Sequence, residues 1–226
     1  EQCDFGLAAE GSSQESGIHG SHSTGKMRVL RFGSGPVHDR VLTYKSDRSN
    51  HRSAQGDRKM ALTVDQFAED CRQILNQDSS ETGLEKVRLV VERFLADRAF
   101  IDEHLGPDND ESRKVLYEDP ELEFCICAHV HKGSNEAPPH DHGPTWAIYG
   151  QAAGRTVMTE YEKVKAPAGD TPGKVKTTKS YDLDPGMAVA YSIGQLHSPK
   201  RAGETRLIRI EGKDVTKLKR DSYERT

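Results

Sequence analysis

From Leu62 onward the chain is patterned. Leu62-Thr63-Val64-Asp65-Gln66-Phe67 reads as a helix start. Thr63 can cap, Gln66 stands where a capping-box partner belongs, and Leu62 with Phe67 can close a hydrophobic staple. Val64, Phe67, Cys71, Ile74 and Leu75 then share one stripe of a helical repeat. A second helix is predicted over Leu84 to Ala96, with Leu84, Val87, Val91, Phe94 and Leu95 turned inward. A short third runs from Phe100 to Leu105 and stops at Gly106-Pro107. Past Asp110 the period drops to two. Strands are predicted over Arg113–Tyr117, Glu121–His131, Thr145–Gly150, Arg155–Val164, Val175–Leu183, Met187–Ser192 and Thr205–Glu211. Asp119-Pro120, Gly169 to Gly173 and Asp184-Pro185-Gly186 supply turns between them. Gly150 and Gly154 are expected at tight turns with positive φ. Short strands at this spacing, behind a few helices, predict a mainly β sandwich or barrel with a small helical N-terminal part.

Residues 1–59 lack such a pattern. They are rich in Ser, Gly, His and Arg, and only Met27 to Phe32 has local apolar content. A segment that buries so little cannot offset its ordering entropy. It is expected to be a disordered or non-native extension. Two readings stay open: sequence upstream of a natural start at Met60, or a genuine flexible extension. The folded part is expected over residues 60–226, with helices in 60–106 and the barrel in 112–226.

Bulk charge narrows the partners. The net charge of −4 and pI near 6.2 give no electrostatic case for nucleic acid or an anionic membrane. No apolar run approaches the roughly 18 residues of a membrane span. The N-terminus has no basic-then-apolar signal pattern. The four cysteines, Cys3, Cys71, Cys125 and Cys127, do not resemble a secreted disulfide framework in a chain this long. They are expected to be buried and reduced, in a cytoplasmic protein. Oligomeric state is not legible.

The candidate chemistry lies in two strings. Pro139-His140-Asp141-His142-Gly143-Pro144-Thr145-Trp146 carries an H-x-H step, and Ser192-Ile193-Gly194-Gln195-Leu196-His197 brings a third His. On a strand, H-x-H turns two imidazoles to one face and Asp141 to the other. A His from a distant β-segment can complete a metal site. Three neutral imidazoles suit a divalent transition metal and leave positions for substrate. They leave the site near +2, which favours an anionic ligand such as a thiolate. His129 and His131 form another H-x-H and are expected to be solvent-facing or hydrogen-bonded strand residues. Trp146 is expected to line the pocket or pack on the helices. Tyr149, Tyr161, Tyr181 and Tyr191 are candidates for a pocket hydroxyl. The Lys and Arg residues after Gly212 read as a solvated face.

These strings resemble the two motifs of the cupin superfamily. Gly133 precedes the first, Gly154 stands at its final Gly, and the second differs from P-x-G-x-x-H by Ser192 in place of Pro. The resemblance implies a cupin double-stranded β-helix, or jelly-roll barrel. Ala147 occupies the position of the motif's metal-binding Glu. A three-His site resembles the thiol dioxygenases, the cysteine dioxygenase-like group, and uncharacterised metal-dependent double-stranded β-helix enzymes. This implies Fe(II) held by His140, His142 and His197, with a small thiol such as cysteine or a mercapto acid and O2 as substrates. It also implies that Arg113 or Lys114 holds the substrate's carboxylate, and that no Cys–Tyr cross-link forms at Ala147. The Ser-x-His-x-Tyr string usual in that group is absent after His197. The alternatives are a metal-dependent cupin enzyme acting on a non-thiol small molecule, and a cupin that binds a metal or small molecule without turnover.

Overall fold

The computed structural model describes residues 61–226. The expectations for residues 1–59, and for a start at Met60, lie outside the described residues.

Three helices come first: α1 (Val64–Gln77), α2 (Glu81–Leu95) and α3 (Arg98–Leu105). The α1 start forms as its sequence dictates. The Thr63 hydroxyl accepts from Gln66 N at 3.2 Å, and Thr63 N donates to the Gln66 side chain at 3.1 Å. Asp97 caps α3 through Ala99 N and Phe100 N. The helices meet on aromatic rings. Phe67 stacks on Phe94 at 4.1 Å, and Phe100 packs edge-on to both.

Ten strands follow among the described residues: β1 (Lys114–Glu118), β2 (Cys125–His131), β3 (Asn135–Glu136), β4 (Ala147–Ala153), β5 (Thr156–Lys165), β6 (Gly173–Leu183), β7 (Ala188–Tyr191), β8 (Leu196–Arg201), β9 (Thr205–Glu211) and β10 (Tyr223–Arg225). One sheet has the order β1-β2-β9-β4-β7 and the other β10-β6-β5-β8-β3. From β2 to β9 the chain passes between the sheets, and nearly every pairing is antiparallel. This is the strand order of a double-stranded β-helix.

The first sheet is dressed in an unexpected sense. Its apolar positions, Ile126, Ala128, Ile148, Ile208 and Ile210, face outward and join the helices in the main core. The alternate positions, Cys127, His129, Tyr149, Arg209 and Glu211, face the other side, and registered partners carry them across the sheet: Cys127 opposite Arg209, and Arg209 opposite Tyr149. The barrel interior therefore sets these polar and charged groups beside an apolar cluster of Ala147, Met158, Leu183, Tyr191 and Leu207.

Three strands were not legible. In β8, Pro199 breaks the donor pattern and the string His-Ser-Pro-Lys-Arg has no apolar alternation. Pro is tolerated because β8 lies next to the two-residue edge strand β3. β3 and β10 are too short to carry a period. β10 and the short 3-10 turn Val215–Lys217 fall in the predicted solvated face, yet Tyr223 and Val215 are buried.

Gly154 has φ of 69°, as a turn requires. Gly150 corrects the expectation. It lies inside β4, and its lack of a side chain admits α2. An added Cβ would sit 2.3 Å from Val91 Cγ1 and 3.1 Å from Leu95 Cδ1. Gly150→Ala is expected to destabilise by about 1–3 kcal/mol, by overpacking. Chemical denaturation with an unchanged m-value would check it.

The three described cysteines are free and buried, as expected. Burial raises the Cys127 thiol to about 12 and the Cys125 thiol to about 11. No described helix is long and apolar enough to cross a membrane.

Candidate metal centre

His140 and His142 lie in the connection between β3 and β4, not on a regular strand. The backbone supplies the missing order. His140 N donates to His197 O, and His197 N donates to His140 O, each at 2.9 Å. This isolated bridge ties the first motif to β8. The ligand-type nitrogens of His140, His142 and His197 come within 4.8 Å of one another. His142 Nε2 and His197 Nε2 are 3.3 Å apart.

The tautomers are fixed from behind. His140 Nδ1 donates to Pro138 O at 2.9 Å, and His197 Nδ1 to Gln195 O at 3.1 Å. A carbonyl only accepts, so each Nδ1 carries the proton and each Nε2 keeps a lone pair. Burial holds His142 and His197 well below the ordinary imidazole range, and the charge of Arg209 adds to it in all three. Three neutral imidazoles with converging nitrogens fit a divalent transition metal. Asp141 points away, accepting from Gly143 N at 3.0 Å and from the Tyr223 hydroxyl at 3.2 Å.

The four tyrosines part company. The Tyr149 hydroxyl lies 3.1 Å from His142 Nε2 and 3.4 Å from His197 Nε2. Tyr191 stacks on the His197 ring at 3.7 Å and hydrogen-bonds Tyr181, which donates to Glu160. Tyr161 bonds Ser198 and Arg225, away from the cluster. Trp146 packs with the helical core.

Arg113 and Lys114 do not join the histidines. Arg113 Nη2 is held between Glu211 at 3.0 Å and Asp214 at 2.9 Å. Lys114 is half exposed and nearest Glu111. To meet a substrate, Arg113 would have to give up two ion pairs. The cations that act on the cluster are Arg209 and, on His140 and His142, Arg220. Arg209 sits over the Tyr149 ring at 5.6 Å and pairs with Glu211. Arg201 is 5% exposed, its Nε has no partner, and its charge acts beside Tyr149 and His131. Position along the strand was the one signal for Arg201 and Arg209. Each is an even number of residues from His197 or Glu211, on the inward face of β8 or β9.

A cleft of about 390 Å³ opens on His140, lined also by Pro138, Pro139, Arg220 and Tyr223. Cys127, His129 and Glu211 form a second close group of donors. It does not suit a cation, because Arg113 and Arg209 already hold Glu211 and bring two positive charges to the group.

His129 is buried and hydrogen-bonded to Ser112 O at 2.9 Å, rather than solvent-facing. Burial lowers it well below its ordinary range and lowers His131 to about 4. Above about pH 6.5 neither the folded nor the unfolded chain protonates them. Below it the unfolded chain takes up protons that the folded chain refuses. Stability of the metal-free protein is therefore expected to fall from pH 7 to 5, by up to about 1.4 kcal/mol per pH unit for each His. Urea titrations at several pH values would show this, with a shallower slope in His131→Asn.

No family model matches the chain, and no curated protein matches it. Among solved structures it is similar to a cupin superfamily protein of Desulfitobacterium hafniense, at 13% identity over 45% of this chain and 76% of that one, with TM-score 0.34. A cupin-2 domain protein of Shewanella frigidimarina shares 16% over 49% and 89%, with TM-score 0.34. An uncharacterised protein of Klebsiella pneumoniae with a double-stranded β-helix domain shares 17% over 55% and 88%, with TM-score 0.36. The fold assignment rests on the strand order itself.

Proposed function

We propose that this chain is a mononuclear non-haem iron dioxygenase that adds both atoms of O2 to the sulfur of a small anionic thiol. The observation that carries the reading is the cluster of three neutral imidazoles with no carboxylate, set beside Arg209 and Arg220, with Arg201 acting on the neighbouring Tyr149. His140, His142 and His197 would hold the iron. Iron, when bound there, supplies the one-electron chemistry that O2 requires. The balance is closed: thiol plus O2 gives sulfinic acid, and no outside reductant is consumed.

The residues around the cluster have separate tasks. The cleft at His140 admits the substrate between Arg220 and Asp221. Arg201 is buried without an ion-pair partner among the described residues, so a carboxylate entering the barrel would relieve its cost. This moves the anion contact from Arg113 or Lys114 to Arg201. A second contact fixes an anionic thiol that the metal alone would leave free to rotate. Tyr191, stacked on His197, holds that ring in place and keeps water from its face.

An oxygen electrode tests the reading on iron-loaded protein across a panel of thiols. O2 uptake matched by sulfinate is expected for a thiol carrying a carboxylate. Arg201→Met should lower the preference for the acid over its methyl ester by about tenfold or more, the worth of a charge-assisted hydrogen bond. No uptake with any thiol acid, at full iron occupancy, would overturn the proposal.

A further inference from the structure

Tyr149 is not accounted for by the fold or by the three histidines. Its ring is buried, 3% exposed, and its hydroxyl sits among the imidazole nitrogens rather than on a backbone carbonyl or in solvent. Tyr149 is two residues beyond Ala147 on β4, on the same inward face. Ala147 offers no donor atom, and the longer phenol reaches the space beside it.

Three distances define what the hydroxyl does there. Tyr149 Oη, His142 Nε2 and His197 Nε2 form a triangle with sides of 3.1, 3.4 and 3.3 Å. Two donors on one metal at about 2.1 Å lie roughly 3.4 Å apart in a tetrahedral site and roughly 3.0 Å apart at right angles in an octahedral one. All three sides fall at or between those values. A hydrogen bond from the hydroxyl to a single imidazole would require only one of them. Arg209 over the ring and the charge of Arg201 nearby give the oxygen a cationic surrounding.

We infer that Tyr149 is a fourth protein ligand, its phenolate oxygen completing the site formed by His140, His142 and His197. Binding exchanges the phenolic O–H bond for an oxygen–metal bond, and the proton leaves to the buffer. The inference rests on the three-His metal reading but not on the thiol reaction. It narrows the centre: one position that three histidines alone would leave to substrate is held by the chain.

The test is spectroscopic. The full chain is loaded with Fe(II) and oxidised to Fe(III) with ferricyanide. Coordinated phenolate gives iron(III) an intense visible charge-transfer band, whereas imidazole does not. Wild type should show the band, with phenolate ring modes enhanced in the resonance Raman spectrum. Tyr149→Phe should keep its fold, lose the band entirely, and bind iron about tenfold or more weakly. If Tyr149→Phe does not fold, wild type grown on ring-deuterated tyrosine decides: the enhanced modes shift if a tyrosine is bound. Iron retained through the histidines, with no such band or with the band unchanged in Tyr149→Phe, overturns the assignment and leaves the three-His site standing. Failure of the wild type to take up iron, or equal uptake by His142→Ala, overturns the metal reading and this inference with it.

Discussion

His142→Ala is expected to take the metal content of the purified protein from near stoichiometric to background. The imidazole is buried, and its Nε2 lies 3.3 Å from that of His197. Its loss takes one of the three imidazoles from the site, and the two that remain, with Tyr149 beside them, are expected to hold a divalent metal too weakly to survive purification. The fold should survive, because the ring touches Tyr149 and the other histidines rather than the helical core. Without metal, the variant and wild type should melt within a few degrees of each other. The difference should open when metal is added, since only wild type gains binding energy in the folded state. Metal analysis after gel filtration, beside circular dichroism, checks both halves. Metal content equal to wild type would remove the basis for the metal centre.

A larger loss of stability is expected from Glu211→Ala. Glu211 is fully buried, and one carboxylate oxygen accepts from Arg113 at 3.0 Å and from Val215 N at 3.2 Å. The other oxygen pairs with Arg209. Removing it leaves Arg113 with Asp214 as its carboxylate partner and strips Arg209 of its ion pair inside the barrel wall. Losing one member of a buried charge set costs about 3–5 kcal/mol, since the remaining charge is no longer compensated. Glu211→Gln keeps acceptor geometry on one atom and loses the charge, so it should fall between. The measurement is urea unfolding of metal-free protein. A loss under about 1 kcal/mol would show that water or movement of Arg113 relieves the pair.

These two sites mark where the sequence is readable and where it is not. The α1 cap and its apolar stripe are local. Each contact joins residues three or four apart, and intrinsic geometry decides them without help from the rest of the chain. The seven predicted strands also stood out by period, with ends that coincide or move by up to four residues. The histidines were legible because their motifs repeat a spacing that a barrel can close. Period two, however, separates a strand into two faces without saying which face is interior. In β2 the alternation of Cys and His with Ile, Ala and Val is plain. That the Ile face packs on helices, while the Cys and His face lines the barrel, was decided by where α1 to α3 dock.

The same reason left Tyr149 undistinguished among four candidate tyrosines and hid Arg201 and Arg209 among the other arginines. Each gains its place from a neighbour on another strand, Tyr149 opposite Arg209 and Arg201 opposite Thr156. Arg113 shows the converse. Its chain position suggested a substrate contact, but its partners Glu211 and Asp214 stand 98 and 101 residues away. The sequence by itself determined the helical front, the β character of the chain past Asp110 and the three candidate ligands, because those depend on local geometry and fixed spacing. Only the tertiary structure decided which charges face the centre, because a charge is paired or free according to what the fold brings against it.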